Sequence, residues 1–234
     1  MLTQVVDQSA AELQHQLTHL QAAEWLYEQP GIPVSKYVFK HALTQEVAYA
    51  SLPHERRREV HERAAQAIEG LFHARLGEHY SALAHYYSRS GNTAKAVYYL
   101  QQAGHQAEQH SACAEAISHV TTALELLPSL TDTPERIQQE LLLQTTLGRA
   151  LIATKGYAAP EVEHAYARAL ELCRQVGETQ HLFQVLWGLR TFYLMRAEFQ
   201  QARTLAEEML ILAQHQHDAA LLLEAHQVLG KVLF

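Results

Sequence analysis

Cysteine, proline and glycine are scarce in this 234-residue chain, which has two cysteines, six prolines and ten glycines. Cys113 and Cys173 stand far apart and form no CxxC pair. This excludes a disulfide-rich scaffold and a zinc site ligated by cysteines. We expect both to be small apolar core residues of a reduced protein. The few prolines and glycines leave room for long helices.

Positive charge and long apolar runs are also lacking. The formal net charge is −7, whereas a general nucleic-acid-binding protein needs a positive surface. No apolar run approaches the roughly 18–20 residues of a membrane span, and the N-terminus has no basic segment followed by an apolar one. The sequence therefore favours a cytoplasmic protein whose partners include neither nucleic acid nor membrane.

Apolar residues at spacings of three and four are abundant. Leu141, Leu143, Leu147, Ala150 and Leu151 illustrate the pattern, which is typical of a helix buried on one face. Because Gly, Pro, Ser and Asn interrupt such runs, the sequence predicts helices of about 12–18 residues joined by short turns. The interruptions lie at 30–33, 90–92, 128–134, 156–160 and 177–178.

Three similar helix starts indicate an internal repeat. They contain Gly148, Gly188 and Gly230, which are 40 and 42 residues apart (188 − 148 and 230 − 188). Each glycine follows a large apolar residue, so we expect a neighbouring helix to approach closely there. A helix with alanines four residues apart follows the first two glycines. These alanines are Ala165 and Ala169, then Ala202 and Ala206.

Earlier segments have the residue order of tetratricopeptide helix pairs. One set is Ala84, Tyr87, Gly91, Ala96 and Leu100, and another is Ala116, Val120, Ala123 and Pro128. The period exceeds the ~34 residues of the tetratricopeptide repeat, and a HEAT-type array is the structural alternative. We predict an all-α fold, a right-handed α-α superhelix of the tetratricopeptide-like solenoid type, over residues 76–234.

Residues 1–75 lack the repeat and are predicted to be a separate, mostly helical domain. The segment AELQHQLTHLQAAEWLYE has the pattern of an amphipathic helix, and a Pro-Gly-Pro turn follows it. A short strand at Tyr37–Phe39 then forms a wing-like hairpin, and two helices divided at Pro53 complete the domain.

The last repeat copy ends at Phe234, within its first helix. A solenoid normally ends on a repeat with a polar outer face, whereas VLGKVLF is apolar. We therefore expect the chain to be a fragment of a longer protein and to self-associate weakly through this terminal helix.

Histidine pairs are the only candidates for metal ligands. Zinc needs three or four ligands, and none of the pairs has a cysteine or an HExxH-type glutamate beside it. We therefore predict no metal site. The pairs are His54 and His61, His15 and His19, and His215 and His217.

The run Arg56–Arg58 is the main candidate for an anion contact. It alternates with glutamates, and pairs such as Arg58 with Glu62 and Glu59 with Arg63 have the i, i+4 spacing of a solvated helix face. We therefore interpret the run as surface charge rather than a nucleic-acid site.

No motif predicts catalysis. The GK near the C-terminus lacks the Gly, and the Ser or Thr, of a phosphate loop, because Ala225 and Val232 occupy those positions. There is no GxSxG, no Cys-His nucleophile pair and no carboxylate pair that its spacing singles out. Five tyrosines form an aromatic group that we interpret as helix packing: Tyr80, Tyr86, Tyr87, Tyr98 and Tyr99. We predict a non-enzyme without a cofactor.

The stretch YVFKHALTQEVAYASLPHERRREVHERAAQAIE resembles a segment of large bacterial signalling proteins. Those proteins join a class III adenylate/guanylate cyclase domain, an AAA-like ATPase of the STAND type and a long tetratricopeptide tail. The later ALIATKGYAAPEVEHAYARALELC and LFQVLWGLRTFYL are similar to that tail. The resemblance implies that residues 1–75 are the end of a winged-helix-like domain next to an upstream ATPase. The cyclase aspartates and the ATPase phosphate loop have no counterpart here.

One residue role follows from the resemblance alone. In STAND ATPases a histidine near the end of the winged-helix domain can reach the nucleotide phosphates, and His41 matches that position. The alternative is a histidine that caps the helix from Ala42 onward or packs under the wing.

Two functional hypotheses remain. The first is a non-catalytic protein–protein interaction and regulatory module, which binds a protein partner or its own upstream ATPase domain. Its candidate anchors are Phe183, Trp187, Arg190, Phe192 and Tyr193, with Trp187 expected in the core. The second is a solenoid that senses a small ligand and controls the ATPase. A large pocket lined by tyrosine and histidine, remote from residues 1–75, favours the second.

Overall fold

The computed structural model describes residues 2–6, 8–31, 36–177, 179, 181–216 and 218–233, with the side chains of 231–233 left aside. Within these residues the fold is all-α apart from one hairpin, and its helices form repeats. The chain divides into two compact units. We call residues 1–96 the N-terminal unit and residues 97–234 the repeat unit.

The N-terminal unit contains a two-stranded hairpin between helices. Its elements are α1 (Leu2–Val5), α2 (Ala10–Ala22), β1 (Leu26–Gln29), β2 (Lys36–Phe39), α3 (Ala42–Ser51), α4 (His54–Leu71), a 3₁₀ segment (His73–His79) and α5 (Tyr80–Ser90). Helix α6 (Thr93–Gln109) runs across the division into the repeat unit. The boundary predicted at residues 75 and 76 falls in the 3₁₀ segment, where Arg75 leaves helical geometry (φ −139°, ψ 37°). That boundary remains a prediction.

The repeat unit is an array of consecutive helices. After α6 come α7 (Cys113–Leu126), a 3₁₀ turn (Leu127–Ser129), α8 (Pro134–Lys155), α9 (Pro160–Val176), α10 (Leu182–Met195), α11 (Phe199–Gln216) and α12 (Ala219–Leu233). From α7 to α12 each helix packs against the next, as expected for stacked helix pairs. Phe234, the last residue of the terminal helix through which weak self-association is predicted, lies outside the described residues.

The hairpin corrects one sequence prediction. The predicted helix over residues 11–28 ends at Ala22, and Leu26–Gln29 pair antiparallel with Lys36–Phe39. Glu24 has a positive φ of 59°, which ends the helix, and the Trp25 carbonyl accepts a hydrogen bond from Lys40. Cross-strand pairing thus overrides the helical pattern of this stretch. The predicted strand at Tyr37–Phe39 is confirmed, but most of the turn before it lies outside the described residues.

Small residues allow the helices to approach closely, as the repeat pattern predicts. Ala165 and Ala169 in α9, and Ala202 and Ala206 in α11, are at most 3% exposed. Alanine has no atom beyond Cβ, so a neighbouring helix can lie against its backbone. Cys173 is buried in the same core, and Cys113 is half-buried.

None of the helices in the described part of the chain is both long enough and apolar enough to span a membrane.

Candidate ligand-binding groove

A groove of about 750 Å³ crosses the repeat unit. Its walls come mainly from alternate helices, α6, α8, α10 and α12, which are the first helices of successive pairs. Because equivalent helices line it, the repeat itself builds the groove. Its lining includes His105, Glu108, Arg149, Tyr157, Trp187 and Glu224.

One wall of the groove is polar and held by an ion pair between α6 and α8. Arg149 donates from Nε to Oε1 of Glu108 at 2.6 Å and from Nη2 to Oε2 at 3.0 Å. The Nδ1 atom of His105 lies 3.6 Å from Oε2 of the same carboxylate. Two parallel bonds fix both groups more firmly than a single bond would. The wall is therefore pre-organised.

The ion pair also sets the charge of this wall. The hydrogen bonds from Arg149 hold the pKa of Glu108 below its ordinary value, against the opposing effect of burial. The same bonds raise the pKa of Arg149. Glu108 is therefore ionised at neutral pH and is not available as a proton donor.

We expect the Glu108–Arg149 pair to stabilise the repeat unit at neutral pH and to lose that effect in acid. The pKa of Glu108 is lower in the folded chain, so the contribution is complete above the ordinary pKa of about 4.3 and disappears as the pH falls through the lowered value. Arg149 is partly exposed, so the size should be only about 1 kcal/mol. Urea unfolding at pH 7 and in acid will measure it.

Glu108→Gln should lower the free energy of unfolding at pH 7 and flatten its fall below pH ~5. Glu224→Gln, which removes another carboxylate from the same groove, is the matched control. Identical pH profiles for Glu108→Gln and the unchanged chain would contradict the assignment.

Aromatic side chains form an apolar part of the groove, in contrast to its polar wall. The rings of Tyr157 and Trp187 lie edge to face with centroids 6.4 Å apart. Trp187 is half-buried and Tyr157 is exposed, so both present surface to the groove. Aromatic faces next to fixed polar groups are typical of small-molecule and peptide sites.

Tyr166 lines the groove between two helix pairs. Its ring is only 4% exposed. A Cβ atom on Gly148 would lie 2.6 Å from the ring, and one on Gly188 would lie 2.5 Å from it. Burial raises the pKa of Tyr166 to about 12, so its hydroxyl is neutral. The predicted close approach at these two glycines is thereby confirmed, whereas at Gly230 nothing lies within 4 Å.

Of the five candidate anchors, the structure brings two to the groove, Phe183 and Trp187. Trp187, which the sequence predicts in the core, is half-buried: it packs against the core cluster and also lines the groove. Arg190 is 3% exposed, and its Nη2 donates to the Val228 carbonyl at 2.9 Å. Phe192 is 1% exposed in the core. The Tyr193 hydroxyl donates to Glu163 at 2.9 Å.

The histidine candidates are distributed over several helices. His41 occupies the N-cap position of α3 with an exposed side chain that makes no capping hydrogen bond. His54 begins α4, whereas His61 is buried 2.8 Å from the Tyr49 hydroxyl. His15 and His19 are exposed on α2, His215 is exposed on α11, and His217 lies outside the described residues. Within the described ranges no three His, Cys, Asp or Glu side chains are placed to hold a metal ion.

The arginine run of α4 differs from its prediction. Arg56 pairs with Glu59 at 2.8 Å. The predicted partner of Arg58, Glu62, instead accepts a hydrogen bond from Asn92, while Arg58 donates to the Ser90 carbonyl at 3.1 Å. The turn after α5 offers these acceptors, and local i, i+4 spacing cannot reveal them.

Four tyrosines of the predicted aromatic group make the following contacts within the described residues. Tyr86 lies near the rings of His61 and His85. Tyr87 is fully buried and donates to Glu69 at 2.8 Å. Tyr98 and Tyr99 pack edge to face with centroids 4.9 Å apart.

Sequence reasoning missed the polar wall and one repeat glycine. Arg149 and Glu108 are 41 residues apart, and no local motif connects them. Gly104 lies 44 residues before Gly148 (148 − 104), close to the other intervals, and its Cβ would lie 2.7 Å from Val120. Extending the glycine spacing towards the N-terminus identifies α6 as another first helix, whereas the set from Ala84 to Leu100 predicts α6 as the second helix of a pair with α5.

No family model matches the chain. A protein of Rhizobium meliloti (strain 1021), described as uncharacterized, is 29% identical to it over 154 residues, or 65% of this chain. The chain spans only 15% of the length of that relative. The matching region is therefore one segment of a much longer protein there.

Proposed function

We propose that this chain is a non-catalytic interaction and regulatory module, and that its groove binds a segment of a protein partner. The observation that carries the proposal is the groove between the first helices of successive pairs, with Trp187 and Tyr157 beside the Arg149–Glu108 pair. Half-exposed aromatic residues in a pre-organised cleft are the usual anchors for a partner side chain. We further propose that the repeats are of the tetratricopeptide type.

The setting of the module follows from the resemblance to bacterial cyclase–STAND ATPase signalling proteins. We propose that it regulates a cyclase–STAND ATPase signalling protein in the cytoplasm, and that residues 1–75 derive from a winged-helix-like domain. The match to a short part of a much longer protein supports a role as one segment of a larger protein. His41 remains the candidate for a contact with nucleotide phosphates, since its exposed side chain makes no capping bond.

A small ligand in the same groove is the second candidate. A volume of about 750 Å³ is within the range of ~300–1,000 Å³ that small-molecule sites occupy. Tyr157, Tyr166 and His105 are among the lining residues. This is the kind of pocket that favours a sensing role.

The chain's two tryptophans provide a direct test of groove occupancy. Trp187 lies in the groove, whereas Trp25 is 54% exposed in the N-terminal unit. In Trp25→Phe, Trp187 is the sole tryptophan and reports on the groove. Peptides selected by display on the whole chain, and a library of cellular metabolites, should be titrated against this variant. A saturable change in Trp187 emission is expected for the true ligand class.

Trp187→Ala should weaken binding of the selected ligand by about thirtyfold or more, because a buried aromatic anchor contributes about 2 kcal/mol or more. Trp25→Ala is the matched control and should bind within about twofold of the unchanged chain. Equal losses in both variants, or peptides that bind without changing Trp187 emission, would refute the groove as the site. Saturation by a metabolite and not by peptides would select the second candidate.

A further inference from the structure

The N-terminal unit holds a concave site of about 400 Å³ that is distinct from the groove. Helices α3, α4 and α5 supply its walls, and three of its side chains are guanidinium groups. The lining includes Tyr49, His54, Arg57, Arg58, Ser88 and Arg89. Three positive groups around one cavity stand out in a chain whose formal net charge is −7.

Neutral acceptors hold the three arginines in place. Arg57 donates from Nε to the Leu52 carbonyl and from Nη2 to the Ala50 carbonyl, both at 2.8 Å. Arg58 donates to the Ser90 carbonyl at 3.1 Å. These bonds fix position but neutralise no charge.

Arg89 is bound in a similar way within α5. Its Nη1 lies 3.0 Å from Nδ1 of His85 and 3.3 Å from the His85 carbonyl oxygen. Across the described part of the chain, none of these three arginines has a carboxylate partner within 4 Å, whereas Arg56, next in sequence, pairs with Glu59. The cavity is thus lined by oriented, uncompensated positive charge.

Two histidines lie beside the arginines of the cavity: His85 contacts Arg89, and the His61 ring lies near that of His85. Burial and then the charge of Arg89 lower the pKa of His61, and the same two causes lower the pKa of His85. Both histidines therefore stay neutral at physiological pH. Neither histidine adds positive charge to the cavity, and the charge of Arg89, the second cause of both shifts, also favours a bound anion.

The backbone around the cavity suits an anion as well. His54 is the first residue of α4, an 18-residue helix whose N-cap, Pro53, provides no side-chain cap. Unpaired N–H groups and the helix dipole make such an end attractive to phosphate. Gly91, in the left-handed region with φ of 86°, leaves space for the Arg58 side chain, since a Cβ there would collide with the guanidinium.

We propose that this cavity binds the phosphate group of a small phosphorylated molecule. Guanidinium groups bind phosphate oxygens through paired hydrogen bonds, and the three arginines present them from two helices. The Ser88 hydroxyl also lines the cavity, with its proton donated to the Ala84 carbonyl at 2.6 Å. The site does not depend on the groove or on its ligand.

Titration of the whole chain with inorganic phosphate, pyrophosphate and ATP tests the proposal. Calorimetry and thermal unfolding should be measured against sodium chloride of equal ionic strength. Saturable binding by at least one phosphate compound, absent with chloride, is expected. The order among the three shows whether a free phosphate, a polyphosphate or a nucleotide is preferred. If all three act only as chloride does, the proposal fails.

Substitutions locate the binding. Arg57→Gln/Arg89→Gln should weaken it by about tenfold or more, whereas Arg56→Gln/Arg203→Gln removes the same charge elsewhere and should change it by less than about threefold. Ser88→Glu puts a carboxylate in the cavity while every arginine remains, so it tests the site even if the double variant unfolds. Ser88→Glu should abolish binding, and equal binding by folded Ser88→Glu would overturn the proposal.

Discussion

Phe192→Ala is expected to lower the free energy of unfolding of the repeat unit by about 3–5 kcal/mol. The Phe192 ring is 1% exposed and belongs to the cluster of buried residues from α8 to α12. Truncation removes its apolar contacts and leaves a cavity that the rigid surroundings fill only in part. Urea unfolding followed by Trp187 emission in the Trp25→Phe background reports on this unit directly.

Phe199→Ala is the matched control for Phe192→Ala. Phe199 lies at the start of α11 with 55% of its surface exposed. The same chemical truncation there should cost less than about 1 kcal/mol, because surface substitutions leave no cavity. Equal losses for the two variants would contradict the core position of Phe192. They would reopen its predicted role as a binding anchor.

The helical repeat could be predicted because its signals are local. Alanines four residues apart, such as Ala165 and Ala169, mark the face on which a helix packs. The interval between Gly148 and Gly188 fixes the length of one helix pair. The alanine spacing follows from helix geometry within one or two turns, and the glycine interval follows from the repetition of one helix pair.

The candidate sites depend on contacts between distant residues, which periodicity does not encode. The Arg149–Glu108 pair joins residues 41 apart, and the bond from Arg58 to Ser90 spans 32 residues. Leu26–Gln29 form a strand only because Lys36–Phe39 pair with them. In each case the tertiary structure determines the partner, and local sequence spacing does not reveal it.

Trp187 shows why a residue type alone does not separate core from surface. It precedes Gly188, whose contact with Tyr166 belongs to the core, yet Trp187 itself faces the groove. Neighbouring positions on a helix are about 100° apart, so one can pack inward while the next is accessible. The two residues therefore differ in what they contact: Gly188 leaves space for the buried Tyr166 ring, and Trp187 presents its ring to the groove.

Gly188→Ala is expected to lower the free energy of unfolding of the repeat unit by about 1–3 kcal/mol. Its new Cβ would lie 2.5 Å from the buried Tyr166 ring, which Gly148 confines on another side. A ring held between two helices cannot move without disturbing their packing. This cost must exceed the gain of up to about 1 kcal/mol that alanine brings to a helix interior. Urea unfolding monitored by Trp187 emission in the Trp25→Phe background will measure the balance.

Gly230→Ala is the internal control, because it changes the equivalent repeat position where nothing lies within 4 Å. There only the helix propensity remains, and stability should rise by up to about 1 kcal/mol. In a Tyr166→Leu background, Gly188→Ala should lose most of its cost, since the colliding ring is gone. An undiminished cost in that background would show that the backbone, and not the Tyr166 ring, requires glycine. Opposite signs at Gly188 and Gly230 would show that this repeat position requires glycine only where a buried ring lies against the helix.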